Sequence, residues 1–152
     1  GIVALCYEGL PWFTGAAVMS QAFPSLKIVL IAALYAVGAH GIMTLNDFKA
    51  LKGDRQTGIN SLPVQFGPNK AAKIACWVMT IPQLLVVILM SSWGALEHAV
   101  FIGCLVLGQF LAMRKLLKDP QKFAPWYNAT GVLMFVLGMM VCAFGLRNFG
   151  AF

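Results

Sequence analysis

Residues 28–58 read IVLIAALYAVGAHGIMTLNDFKALKGDRQTG, and this stretch decides the fold class. Its first part, 28–45, contains no Asp, Glu, Lys or Arg. As a helix it would rise about 27 Å, close to the ~30 Å hydrocarbon core of a bilayer. Lipid offers no hydrogen-bond partners, so an apolar run of this length predicts an α-helix that pairs its own backbone. The second part, 46–58, changes character at once. It carries Asp47 and Asp54 with Lys49, Lys52 and Arg55 among them. Gly53 and Gly58 predict that the helix stops near the end of the apolar run and that the two acids converge through a bend.

Four more runs of the same kind flank this one: 1–20, 74–92, 100–117 and 129–146. The expectation is an all-α, polytopic membrane helix bundle of about five transmembrane helices. The connections are then 21–27, 46–73, 93–99 and 118–128. The first span is the least apolar, with Glu8 and Pro11 inside it. Composition agrees: 60% of the 152 residues are hydrophobic and 11% charged, and the mean hydropathy is +0.80. Soluble domains are about 45–50% apolar and about 25% charged. A soluble enzyme domain, a disordered chain and a nucleic-acid binder are excluded. The chain opens on Gly1 and enters an apolar run immediately, so it reads as a piece of something longer.

The net charge of +6 comes from 11 Lys and Arg against 5 Asp and Glu. Nine of the eleven basic residues fall in or beside two connections, leaving only Lys27 and Arg147 elsewhere. Five are Lys49, Lys52, Arg55, Lys70 and Lys73; four are Arg114, Lys115, Lys118 and Lys122. With five spans these connections share one face. The positive-inside rule makes that face cytoplasmic and puts the C-terminus on the periplasmic side. Cys6, Cys76, Cys104 and Cys142 lack metal-ligand spacing and read as buried, reduced side chains. Gly131, Gly138 and Gly145, and Ala32, Ala36 and Ala39, predict stripes where another backbone approaches closely. Pro82 predicts a kink. Trp12, Trp77, Trp93, Trp126 and Tyr127 suit an interfacial belt, and His98 a surface position.

Acids and bases alternating at the mouth of a bundle suit a metal–diphosphate site. Carboxylates hold Mg²⁺ through oxygen, and Lys and Arg contact phosphate. A solvated charged loop that merely sets topology is the plainer alternative. Glu8 is an ionisable group within a span, and such groups usually face protein or a cavity. His40 lies two turns deeper than Asp47 on nearly the same face. Either side chain lines a cavity or is satisfied inside the bundle.

Residues 46–58 and 61–64 (SLPV) resemble the second aspartate motif of the UbiA superfamily of intramembrane prenyltransferases. Residues 5–15 (LCYEGLPWFTG), 38–48 (GAHGIMTLNDF) and 124–128 (APWYN) are similar to its chlorophyll synthase branch, most closely the bacteriochlorophyll synthases. The resemblance covers essentially the whole chain. It implies a bundle of about nine helices around a cavity, with two aspartate motifs facing each other at the cytoplasmic mouth. This chain would be the C-terminal half, inactive without the N-terminal half of the same protein.

The implied reaction transfers a geranylgeranyl or phytyl group from its diphosphate to the propionate of bacteriochlorophyllide. The setting would be the inner, photosynthetic membrane of a bacterium. Asp47 and Asp54 match motif positions for catalysis and Mg²⁺. Asn46, Lys49 and Arg55 are the diphosphate candidates. Tyr7, Glu8, His40, Tyr127 and Asn128 are the candidates for the substrate cavity. Ala50 and Lys52 stand where relatives commonly carry acids. Two alternatives fit the same residues. One is a truncated or repurposed homologue, a pigment-binding or assembly subunit working with photosynthetic complex proteins. The other is a superfamily member with a quinone or haem acceptor.

Overall fold

The computed structural model describes Val3 and residues 5–147. A π-helical turn, Leu5–Gly9, leads into α1, Leu10–Ser20. Then follow α2, Leu26–Thr57, the short α3, Leu62–Phe66, and α4, Pro68–Ser92. The chain closes with α5, Leu96–Leu116, and α6, Pro120–Arg147. Four of these, α2, α4, α5 and α6, are long and apolar enough to cross a membrane. They match the expected spans at 28–45, 74–92, 100–117 and 129–146. The described part of the remaining span is the π turn and the 11-residue α1, shorter than a bilayer crossing. The beginning of that span, at Gly1, Ile2 and Ala4, lies outside the described residues.

The four long helices alternate in direction. α2 packs on α4 and α6, and α5 packs on the same two from the other side, across the bundle from α2. Tyr35 forms the centre. Its ring stacks on Trp12 at 6.1 Å and meets Phe135 edge-on at 5.1 Å, while its hydroxyl lies 3.4 Å from Cys142 Sγ. At one end of the bundle, Lys27 sits over the Trp93 ring and His98 packs at Gly145. The other end gathers the C-termini of α2 and α5 and the N-termini of α4 and α6. Nine of the eleven basic residues lie toward it, as expected.

Several expectations change. The helix of 28–45 does not stop at the apolar boundary; α2 runs on to Thr57, and Gly53 lies inside it. The bend belongs to Gly58, whose φ of 73° is left-handed and whose N–H donates to the Asp54 carbonyl. The connection expected at 118–128 is mostly helix. Asp119 caps α6, with its carboxylate accepting from the Lys122 N–H at 3.2 Å and Pro120 opening the helix.

The glycine stripe of α6 does not bring another backbone close. Gly131, Gly138 and Gly145 make room for large side chains, Tyr127, Tyr35 with Gln83, and Met90 with His98. Backbones meet closely at Gly41 instead. A Cβ there would lie 2.5 Å from the Ala75 carbonyl oxygen of α4. All four cysteines are free, but only Cys76 and Cys142 are buried; Cys6 and Cys104 are exposed on the described bundle. His98 is half-buried rather than a surface residue. α4 continues through Pro82 as helix.

Candidate active site at the basic end of the bundle

The last three turns of α2 carry the motif. Because the helix is continuous, Asp47 and Asp54 lie on one face, about 20° apart around the axis and about 10 Å apart along it. His40 extends the same row by another two turns. Asp54 is buried, at 9% exposure, and Asp47 and His40 are half-buried. The Thr44 hydroxyl donates to the His40 carbonyl at 2.9 Å, within the same turn of α2. Burial, and then the neighbouring charge of Asp54, push the Asp47 carboxyl above its ordinary range. Two carboxylates that repel each other, just beyond the apolar part of α2, attract a cation.

The basic candidates divide. Lys49 lies about 160° around the helix from Asp47. With Phe48, Lys52, Arg55 and Gln121 of α6 it lines a groove of about 420 Å³. Arg55 stands on the flank between that groove and the acidic face. The structure thus separates Lys49 from the carboxylates and leaves Arg55 beside them.

Asn46 and Asn128, 82 residues apart, are brought together: Asn128 Nδ2 donates to Asn46 Oδ1 at 2.9 Å. The bond fastens α6 to α2 one residue before Asp47. Tyr127, expected at the cavity with Asn128, is fully buried inside the bundle wall. Its ring packs over Gly131, close to Cys76 of α4. Tyr7 is 76% exposed on the π turn, and Glu8 beside it is half-buried.

Sequence reasoning missed a clamp between the end of α5 and the first turns of α6. Lys115 Nζ lies 3.9 Å from the centroid of Trp126 and 5.2 Å from that of Phe123. Lys122 faces Phe123 as well, at 5.6 Å. These cation–π contacts hold the end of α5 to the start of α6, and so the turn from which Asn128 reaches Asn46. In the sequence Lys115 reads as a topology charge, and Trp126 as an interfacial aromatic and part of the 124–128 stretch; neither reading pairs them.

No group of three or more His, Cys, Asp or Glu side chains converges as a metal site among the described residues. Carboxylates about 10 Å apart along a helix cannot share one small ion. They do fit Mg²⁺ as that ion usually binds, through one or two carboxylates with the remaining ligands from water and phosphate. The donor set therefore suits a metal–diphosphate ligand and not a resident metal cage.

Residues 2–138 match the UbiA prenyltransferase family. The chain is 63% identical over 148 residues to the bacteriochlorophyll synthase 33 kDa chain of Cereibacter sphaeroides, covering 97% of this chain and 49% of that protein. It is 53% identical over 152 residues to the bacteriochlorophyll synthase 33 kDa chain of Rhodobacter capsulatus, covering 98% and 50%. It is 38% identical over 138 residues to the chloroplastic chlorophyll synthase of Avena sativa, covering 90% and 36%. The chain spans about half the length of the bacterial relatives it matches. No solved structure matches it. With its family match covering nearly all of its length and the aspartate pair on the last turns of α2, the chain belongs to the UbiA prenyltransferase family.

Proposed function

We propose that this chain supplies the C-terminal half of a bacteriochlorophyll synthase, which joins a geranylgeranyl or phytyl group to the propionate of bacteriochlorophyllide. The observation that carries this reading is the Asp47–Asp54 pair on one face of a continuous helix, at the basic end of the bundle. Its similarity to bacteriochlorophyll synthase chains supports the same reading.

Asp47 and Asp54 would hold the isoprenoid diphosphate through Mg²⁺, without both ligating one ion. When bound there, Mg²⁺ draws negative charge from the diphosphate and makes it a better leaving group. Arg55 on the flank adds positive charge toward phosphate oxygens, while Lys49 and Lys52 line the groove on the far side of α2. Asn46, pinned by Asn128, fixes the entrance. The bond between the allylic carbon and the diphosphate oxygen breaks, and that carbon gains cationic character. An electron pair of the propionate oxygen forms the new ester bond, and diphosphate leaves. Glu8 and His40 lie deeper, where Glu8 offers negative charge to the allylic cation and His40 faces the acceptor. The basic end is cytoplasmic, and the membrane is the inner, photosynthetic membrane of a bacterium. The facing aspartate motif comes from the N-terminal half.

The test is esterification by the full-length enzyme carrying Asp47→Asn or Asp54→Asn. Removing one preorganised electrostatic group typically costs about 10²–10³-fold in rate, and a loss of that order is expected for each. Undiminished Mg²⁺-dependent esterification in both variants refutes the assignment.

A further inference from the structure

A second groove lies between α4 and α5, across the bundle from the aspartate row. It has a volume of about 380 Å³. Lys73 of α4 and Arg114 of α5 stand at its rim, at the basic end of the bundle. Trp77 follows one turn below Lys73. Leu107 and Phe110 form the opposite wall below Arg114. The groove therefore passes from two cations, through an indole, to an aliphatic and aromatic trough about 10 Å long. Its walls face outward: Trp77 is 56% exposed and Leu107 60%.

The floor asks for nothing polar. The Thr80 hydroxyl already donates to the Cys76 carbonyl at 2.8 Å, with Met113 Sδ at 3.8 Å. A ligand that fills the trough is therefore apolar at depth and anionic at its head. No carboxylate lines the groove, so it lacks the donors that would hold a metal-bound diphosphate. Asp119 is the one acid in the turn that follows α5, against Lys115, Lys118 and Lys122 nearby. Two cations with no carboxylate beside them thus select an anionic head that needs no metal. Basic pockets between transmembrane helices are where acidic lipid headgroups bind.

We propose that the groove between α4 and α5 is a binding site for one anionic phospholipid. Its phosphate lies between Lys73 and Arg114, its glycerol region lies against Trp77, and an acyl chain runs along Leu107, Phe110 and Thr80. The lipid bridges the basic-end turns of α4 and α5, and so it steadies the α4–α5 pair. The site is independent of the proposed transferase reaction.

The test is native mass spectrometry of the purified protein as it is encoded, titrated with phosphatidylglycerol and with phosphatidylcholine of the same acyl chains. The expected result is one phosphatidylglycerol retained in preference to phosphatidylcholine. Each basic residue near an acidic headgroup contributes about fivefold in affinity. The variant Lys73→Gln/Arg114→Gln should therefore lose about 30-fold for phosphatidylglycerol and little for phosphatidylcholine. The control Lys70→Gln/Lys118→Gln, on the same end but outside the groove, should keep the preference. All side chains changed are exposed, so unaltered melting profiles separate loss of lipid from loss of fold. Equal retention of the two lipids by the unsubstituted protein overturns the proposal. So does a preference that survives Lys73→Gln/Arg114→Gln, or one lost equally in the control.

Discussion

Gly53 gives the sharpest test of the architecture around the aspartates, because a bend and a helix predict opposite responses to one methyl group. Gly53 lies inside α2, and a Cβ built on it meets nothing within 4 Å. Alanine there adds no clash and removes the extra backbone freedom that glycine loses on folding. At an exposed helix interior that change is worth about 0.5–1 kcal/mol. For a chain of this size 1 kcal/mol moves a melting midpoint by roughly 2–4 °C, so Gly53→Ala should raise it by about 1–4 °C. Gly58, five residues on, has a φ of +73°. The same substitution there forces a side chain into the left-handed region and should lower the midpoint. Both are read by thermal unfolding in detergent, followed by intrinsic tryptophan fluorescence. If Gly53→Ala lowers the midpoint, or if the two substitutions shift it in the same direction, the continuous helix through Asp47 and Asp54 is wrong. The shared acidic face then falls with it.

Three further outcomes follow from the same packing. Gly41→Ala places a Cβ against the Ala75 carbonyl oxygen and the Met79 side chain, so α2 and α4 must part. Overpacking of this kind costs about 1–3 kcal/mol, and a melting midpoint equal to that of the unsubstituted protein would refute the close approach. Asp47→Asn should cost activity yet raise stability at neutral pH. The Asp47 carboxyl is held above its ordinary range by burial and by Asp54, so the native state binds its proton more readily than the unfolded chain does. That contribution is present below the ordinary carboxylate range and is lost as pH rises through the raised value. In Mg²⁺-free buffer the advantage of Asp47→Asn should shrink as pH falls, and an advantage that grows toward acid would contradict it. For the Asn46–Asn128 bond, a double-mutant cycle of the two alanine variants should give a coupling of about 0.6 kcal/mol, typical of hydrogen bonds between membrane helices. Strict additivity would show that the bond does not form.

Hydropathy located the four long helices because each must bury its own backbone hydrogen bonds where no water is present. The positions of Lys and Arg likewise mark one end of the bundle from the sequence alone. Hydropathy reports where the lipid ends, however, and not where the helix ends. Residues 46–58 are charged, yet Lys, Leu, Arg and Gln are all good helix formers. One interior glycine costs only about 1 kcal/mol, and buried Phe48 and Leu51 hold that stretch of α2 to the bundle. The start of α6 was legible in Asp119–Pro120, a capping residue followed by proline, but it lay in a stretch assigned to a connection on polarity alone.

Aspartates seven residues apart could be read from the sequence as a candidate pair, and the family resemblance gave them a role. Their placement on one helical face depended on α2 running unbroken past Gly53. The pairing of Asn46 with Asn128, the burial of Tyr127 and the groove between α4 and α5 depend on residues distant in the chain. Composition and spacing act within one helix, so they fix what can lie in a membrane and which side chains share a face. Which faces meet is decided by packing between helices. A missing methyl at Gly41 and a cation over Trp126 set those contacts, and neither can be read along a single segment.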